Sequence, residues 1–251
     1  MSNDYQIKDK FAYIMGGGKF GTEALRHLKT NGAKVLVVDL DPMCRAKTEV
    51  DIEVTTLDVG NSLKNGQAAL LVGDAVGRLL DILEVEVPDW VVTAMPSNAL
   101  AKIVISWLSK FDYKIEPFQN IIQQVLKNIP ESLVSFVNKE RAVIVVSYML
   151  PHMQCREKCM PPKDFCASTG RPKLTTMNRL LEFSVYGLTD MTGVLESKQL
   201  TGGIGAINGS QLFSFLKKLE NCLESFTLTV GTACDCHGII NMFKVKKGKN
   251  N

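Results

Sequence analysis

Long apolar runs are missing from this chain. No stretch of eighteen apolar residues occurs, which excludes a membrane-spanning helix of ordinary length and predicts no membrane insertion. Charge of one sign is missing too. The 29 Lys and Arg against 26 Asp and Glu leave +3, too slight to imply a nucleic-acid partner. The basic tail Lys244-Val245-Lys246-Lys247-Gly248-Lys249 is short and reads as a solvated end. Met1-Ser2-Asn3-Asp4-Tyr5 puts no basic segment ahead of an apolar one, so no secretory signal is expected and the protein is placed in the cytoplasm. Cys-x-x-Cys is absent, which leaves both the paired zinc knuckle and the bacterial ferredoxin pattern unmatched. No Ser/His/Asp, Lys/Tyr or paired-acid constellation stands out, so no reaction class follows from a catalytic motif.

What is present is ordinary globular composition, 45% hydrophobic and 22% charged, over 251 residues. That length buries a full core and holds one large domain or two small ones. Against this background one motif carries most of the information. Phe11 to Met15 is an apolar run, followed by Gly16-Gly17-Gly18-Lys19-Phe20-Gly21. A helical stretch (Thr22 to Thr30) and a second apolar run (Val35 to Val38) lead to Asp39. The glycines spell Gly-x-Gly-x-x-Gly. Each has a physical task in holding a dinucleotide: Gly16 for the tight turn, Gly18 for close approach of the pyrophosphate, and Gly21 for helix–strand packing. The helix start offers free N–H groups and a positive dipole end to the phosphates. Asp39 is placed to accept from the adenosine ribose and to repel a 2′-phosphate, so NAD is expected in preference to NADP.

The alternation of strands and helices through the first half predicts an α/β fold with a Rossmann-like parallel sheet. Strands are expected at 11–15, 34–39, 68–73 and 90–95, with helices at 75–84, 97–110 and 121–127; residues 51–67 resist placement. Leu133 to Val137 and Ala142 to Met149 read as hairpin partners or a sheet extension. After Leu150-Pro151 the character changes to a Cys-, Pro- and charge-rich loop through Lys173. A helix (174–183), a strand (193–198), a Gly-rich loop (202–209), a helix (210–223) and strands at 225–231 and 238–245 complete the expectation. The predicted division is a dinucleotide-binding domain over 1–112 and a smaller cysteine-rich α/β domain over 113–251.

Finer details of the first half resemble the potassium-transport nucleotide-binding (KTN, or RCK) branch of NAD-binding Rossmann domains. Val37-Val38-Asp39-Leu40-Asp41-Pro42 is similar to that branch's V-V-D-x-D-P, and Gly73-Asp74-Ala75 to its G-D-A. Val87-Pro88-Asp89-Trp90-Val91-Val92 matches its entry into the fourth strand. The resemblance covers roughly residues 10 to 110. It implies that Gly16, Gly18, Gly21 and Asp39 contact the dinucleotide and that Asp74 lies near the adenosine end. From its own position Asp74 reads equally as a helix N-cap.

The second half is marked by His152-x2-Cys155-x3-Cys159-x6-Cys166 and by Cys234-x-Cys236-His237. In a reducing compartment such clusters read as metal or redox groups rather than structural disulfides. Soft thiolates suit an iron–sulfur cluster or zinc. Three cysteines from one irregular loop plus one from a distant strand end wrap a bulky cluster better than a single ion, so iron–sulfur is favoured over zinc. Free thiols, transient disulfides or buried cysteines are the third alternative. The expected ligands are Cys155, Cys159, Cys166 and one of Cys234 or Cys236. His152 and His237 are candidate ligands or proton donors, against a structural role for each. Four glycines in Gly202–Gly209 exceed what one turn needs and read equally as a backbone approaching a ligand or as a flexible connection over the sheet, while Asn98 falls at the sheet edge where such folds bind ligands and reads equally as a cap of the helix that follows.

Together these features predict an NAD(H)-binding protein with a cysteine-ligated metal centre, a cytoplasmic redox enzyme acting on a small molecule or protein partner, expected as a homo-oligomer. The alternative is a non-enzymatic NAD- or redox-sensing regulator of KTN type with a structural or sensory metal site.

Overall fold

The structure is a computed structural model, and it describes residues 6–57, 59–95, 98–150, 153, 155–222 and 224–248. Among these residues it is a mixed α/β protein of twelve strands and six helices. The chain forms two compact units, Met1–Ala99 with Lys198–Ser214, and Leu100–Ser197 with Phe215–Asn251.

The first unit holds β1 (Phe11–Met15), α1 (Lys19–Thr30), β2 (Lys34–Asp39), β3 (Ile52–Val54), β4 (Ala68–Val72), α2 (Ala75–Ile82) and β5 (Trp90–Val92). It is completed by a later strand, Ile204–Asn208, numbered β10 below. Its sheet runs β3-β4-β2-β1-β5-β10. The first five strands are parallel, and β10 is antiparallel to β5. Every residue of β1 is buried, as are the middle four of β2, the pattern of strands covered on both faces. Gly21, Thr22, Ala24, Leu25 and Leu28 form the buried stripe of α1, at the spacing of one helical face. Asn31 caps the helix C-terminus and Gly32, at φ +80°, turns the chain away.

The second unit holds α3 (Ala99–Ser109), β6 (Tyr113–Pro117), α4 (Ile122–Lys127), β7 (Val134–Asn138), β8 (Val143–Ser147) and α5 (Met177–Val185). Then come β9 (Met191–Thr201), α6 (Gly209–Glu220), β11 (Phe226–Ala233) and β12 (His237–Lys247), of which the end of β9 and the first half of α6 belong to the first unit. β9 runs parallel to β11, which pairs antiparallel with β12. The long β12 is shared along its length: residues 237–241 bond β8, and 243–247 bond β6. β7 and β8 form the antiparallel pair expected from their apolar runs. Ile144, Val146, Tyr148, Met149, Cys166, Met177, Leu181, Ile240 and Met242 share one core.

Several elements depart from expectation. The Gly202–Gly209 segment is not a loop but a turn at Gly203 (φ +78°) followed by β10. Its last glycine is required by packing: a methyl on Gly209 would lie 2.9 Å from the Pro88 carbonyl carbon. β3 falls in the unplaced 51–67 stretch, and β6 was not foreseen. α5 begins at Met177 rather than 174, because Thr176 caps it by accepting from the Arg179 amide. No helix among the described residues is long and apolar enough to cross a membrane.

Candidate functional site

The glycine loop of the first unit is held from several directions. The Gly16 amide donates to the Val38 carbonyl (2.8 Å), and Gly16 adopts φ +102°, which a side chain would resist. The Gly17 amide donates to the Asp39 carboxylate at 2.6 Å, and the Gly17 carbonyl accepts from the Ala46 amide at 2.9 Å. Beneath Gly17 lies the buried thiol of Cys44, which an added methyl would strike. Burial, with the neighbouring Asp39 charge, raises this thiol above its ordinary range, so it packs as a neutral group.

Gly18 is the N-cap of α1, with no side-chain cap and no acidic residue in the first turn to complement the dipole. Its missing side chain would point into open space. Gly21 is the reverse case: a methyl there would lie 2.9 Å from the Gly16 carbonyl carbon and nearer still to its oxygen. Thr22, fully buried, ties the helix start to the loop by donating to the Gly18 carbonyl at 2.8 Å.

A cleft of about 380 Å³ opens beside this loop. Phe20, Thr93, Ala94, Met95 and the turn at Gly203 and Gly205 line it. Gly16 adjoins the Ala94 carbonyl, so the tight turn borders the cleft. Phe20, more than half exposed, escapes sequence reasoning because an apolar residue in a helix is first assigned to the core. The Asp39 carboxylate also accepts from the Asp41 amide (2.9 Å), and Asp41 in turn accepts from Met43 (2.8 Å). Asp74 accepts from the Gly77 amide (2.7 Å) as the N-cap of α2. Asn98 is buried immediately before α3.

In the second unit the two cysteine windows come together. Cys155 is exposed, Cys159 and Cys234 are half-buried, and Cys166 and Cys236 are buried. Burial raises the Cys159 thiol, and the neighbouring Cys155 and Cys166 raise it further. Burial pushes Cys236 up to about 11, against a hydrogen bond and opposing charge from Lys173. Burial also acts to raise Cys166, but the Thr169 hydroxyl, the amides of Thr169 and Ser168, and the Lys173 charge together hold it below its ordinary range. Burial lowers His237, helped by Lys173. Its Nδ1 lies 3.8 Å from Cys234 Sγ.

Lys173 thus acts on both windows, and its Nζ donates to the Pro162 carbonyl at 2.7 Å. Nothing in its sequence position announces this, since the second window lies some sixty residues away. His152 lies outside the described residues. Among the described residues, no three His, Cys, Asp or Glu side chains stand in an arrangement that could hold a metal ion.

Residues 11–97 match the AF_1314_N family, described as "Uncharacterized protein, N-terminal domain". Residues 84–246 match AF_1314_C, described as "Uncharacterized protein, C-terminal domain". An "Uncharacterized protein" of Archaeoglobus fulgidus is 32% identical over 231 residues, which make up 92% of this chain and 98% of the relative. These matches overturn the KTN/RCK resemblance. The motifs behind it have local duties that many strand-to-turn junctions share: Asp39 and Asp41 close the turn after β2, and Asp74 caps α2. Such duties recur across unrelated families and do not identify one. The chain belongs to the AF_1314 family and carries both its N-terminal and its C-terminal domain.

Proposed function

We propose that the first unit is a Rossmann-like module that binds NAD(H), and that the cysteine cluster of the second unit ligates a metal centre, iron–sulfur in preference to zinc, in a redox enzyme. The observation that carries this reading is the glycine loop pinned to Asp39 beside an open cleft at the strand ends. Gly16 makes the turn, Gly18 leaves the helix start uncovered, and Gly21 lets α1 pack onto the loop. A pyrophosphate fits the uncapped first turn of α1, where backbone N–H groups and the dipole favour an anion. The Asp39 carboxylate retains lone pairs beyond those used by Gly17 and Asp41 and would take the ribose hydroxyls, while its charge opposes a 2′-phosphate. The apolar wall of Phe20, Val92 and Met95 suits a planar ring.

NAD(H) supplies or receives a hydride; the chain's part is to bind it, orient it and exclude water. Cys155, Cys159, Cys166 and one of Cys234 or Cys236 would hold the metal, supported by the convergence of the two windows around Lys173. Calorimetric titration with NADH and NADPH tests the first unit. NADH should bind at least about tenfold more tightly, a difference of about 1.4 kcal/mol. NADPH binding as tight as NADH would show that Asp39 does not read the ribose. The spectrum and metal content of protein purified without oxygen test the second unit: a broad absorption with iron and sulfide supports a cluster, and colourless protein with stoichiometric zinc supports an ion.

A further inference from the structure

We infer that the cleft beside the glycine loop selects the redox state of the dinucleotide: it takes the neutral dihydronicotinamide ring of NADH and disfavours the cationic pyridinium ring of NAD⁺. This rests on the reading of the first unit as an NAD(H) module and decides what that reading leaves open, which form of the cofactor the site holds.

The cleft exists because two strands part. β10 pairs with β5 only through Asn208 with Trp90 and Ile207 with Val91. Past that short ladder, Val92 to Met95 form one wall and Gly203 to Gly205 another, with Phe20 completing the lining. β10 runs antiparallel to β5, so the turn at Gly203 (φ +78°) lies at the carboxyl end of β5, where the Ala94 carbonyl also borders the Gly16 turn.

At the ring the two forms of the cofactor differ by one positive charge. Among the described residues the lining of the cleft holds no Asp, Glu, Lys, Arg or His. Its polar groups are the Thr93 hydroxyl and the main chain, which can bond the carboxamide of either form and so do not discriminate. A pyridinium entering such a cleft gives up hydration with no carboxylate to replace it, a cost the neutral ring does not meet. Asp39 is too far away to serve. It ends β2, and β1 stands between β2 and β5, which separates the strand ends by about 10 Å, a full screening length. Asp74 follows β4, one strand farther still.

The Phe20 ring is the one feature that could favour the cation, since an aromatic face attracts positive charge. Lys19 works against this, because its Nζ stands 5.9 Å from the Phe20 ring centre. Its charge opposes a second cation at the same ring and favours NADH, whose net charge is one unit more negative.

The test is calorimetric titration of the full chain with NADH, NAD⁺ and ADP-ribose, which keeps the pyrophosphate and lacks the ring. NADH should bind at least about tenfold more tightly than NAD⁺, and NAD⁺ no more tightly than ADP-ribose. Thr93→Asp, which puts a carboxylate in the lining, should narrow the NADH to NAD⁺ ratio at least about fivefold and leave ADP-ribose affinity unchanged. A wild-type ratio below tenfold, or an unchanged ratio in a Thr93→Asp chain that still binds ADP-ribose, overturns the inference while the cofactor reading stands. If the variant does not fold, the wild-type ratio decides alone. Failure of all three ligands to bind the wild-type chain overturns both.

Discussion

Replacing Gly21 by Ala tests how closely α1 is seated on the loop that begins it. The new methyl would lie 2.9 Å from the Gly16 carbonyl carbon, nearer to its oxygen, and 3.4 Å from Ile14 Cγ2. Carbon atoms settle at about 3.5 Å or more, so α1 must lift by at least about 0.6 Å. The obstacle is backbone, in a turn held by Gly16 to Val38 and by Gly17 to Asp39, so it cannot swing aside as a side chain would. Lifting the helix opens a gap along Ala24, Leu25 and Leu28, all fully buried, and a gap of that size forfeits about a quarter to a half of each contact's attraction. Overpacking of this kind costs about 1–3 kcal/mol, and a rigid obstacle puts the expectation near about 3 kcal/mol. With a urea slope of about 2 kcal/mol per molar, the unfolding midpoint followed by circular dichroism should fall by about 1.5 M. A fall of less than about 0.3 M would refute the reasoning, because it would mean the helix start is not wedged against the turn.

Two further substitutions separate other contributions. Gly18→Ala meets open space at φ −71°, so the loss of a preferred cap and the gain from a stiffer unfolded chain should cancel to within about 1 kcal/mol. NADH affinity measured by calorimetry should nevertheless drop at least about tenfold, and unchanged affinity would place the pyrophosphate elsewhere. Asp190 accepts from both the amide and the hydroxyl of Thr227 at 2.7 Å, and these bonds hold its carboxyl below the ordinary range. The folded value is depressed, so its stabilisation is complete above the unfolded value of about 3.9 and is lost as pH falls through the folded one. Asp190→Asn should flatten the acid limb of the urea midpoint against pH between about 5 and 2, and an unchanged limb would assign that limb to other carboxylates.

The glycine loop could be read directly from the chain because its requirements are local. Gly16, Gly18 and Gly21 differ in what surrounds a missing side chain, and spacing alone predicted a turn at the first, access at the second and close packing at the third. β1, β2 and β4 were legible for a similar reason: strands buried on both faces must be continuous apolar runs. The thiol clusters could be seen as chemistry, although not as a site.

Long-range pairing decided the rest. β10 holds Gly205 and is flanked by Gly202, Gly203 and Gly209, which make Gly202–Gly209 look like a loop, and it is a strand because its edge pairs with β5, more than a hundred residues earlier. β3 is only three residues long, and β6 alternates charged with apolar residues along an exposed edge, so neither carries a strong periodic signal. The AF_1314 membership was hidden because Asp39, Asp41 and Asp74 do work that any strand-to-turn junction asks of an aspartate. Lys173 became part of the cysteine cluster only when β8 and β12 paired His237 with Ser147, next to the Tyr148 amide that holds Cys236 in place. Sequence by itself determined which residues could turn, cap, pack and ligate, since those capacities belong to single residues and their near neighbours. Tertiary structure alone decided which distant residues met, because sheet register brings together segments whose separation along the chain carries no trace of the contact.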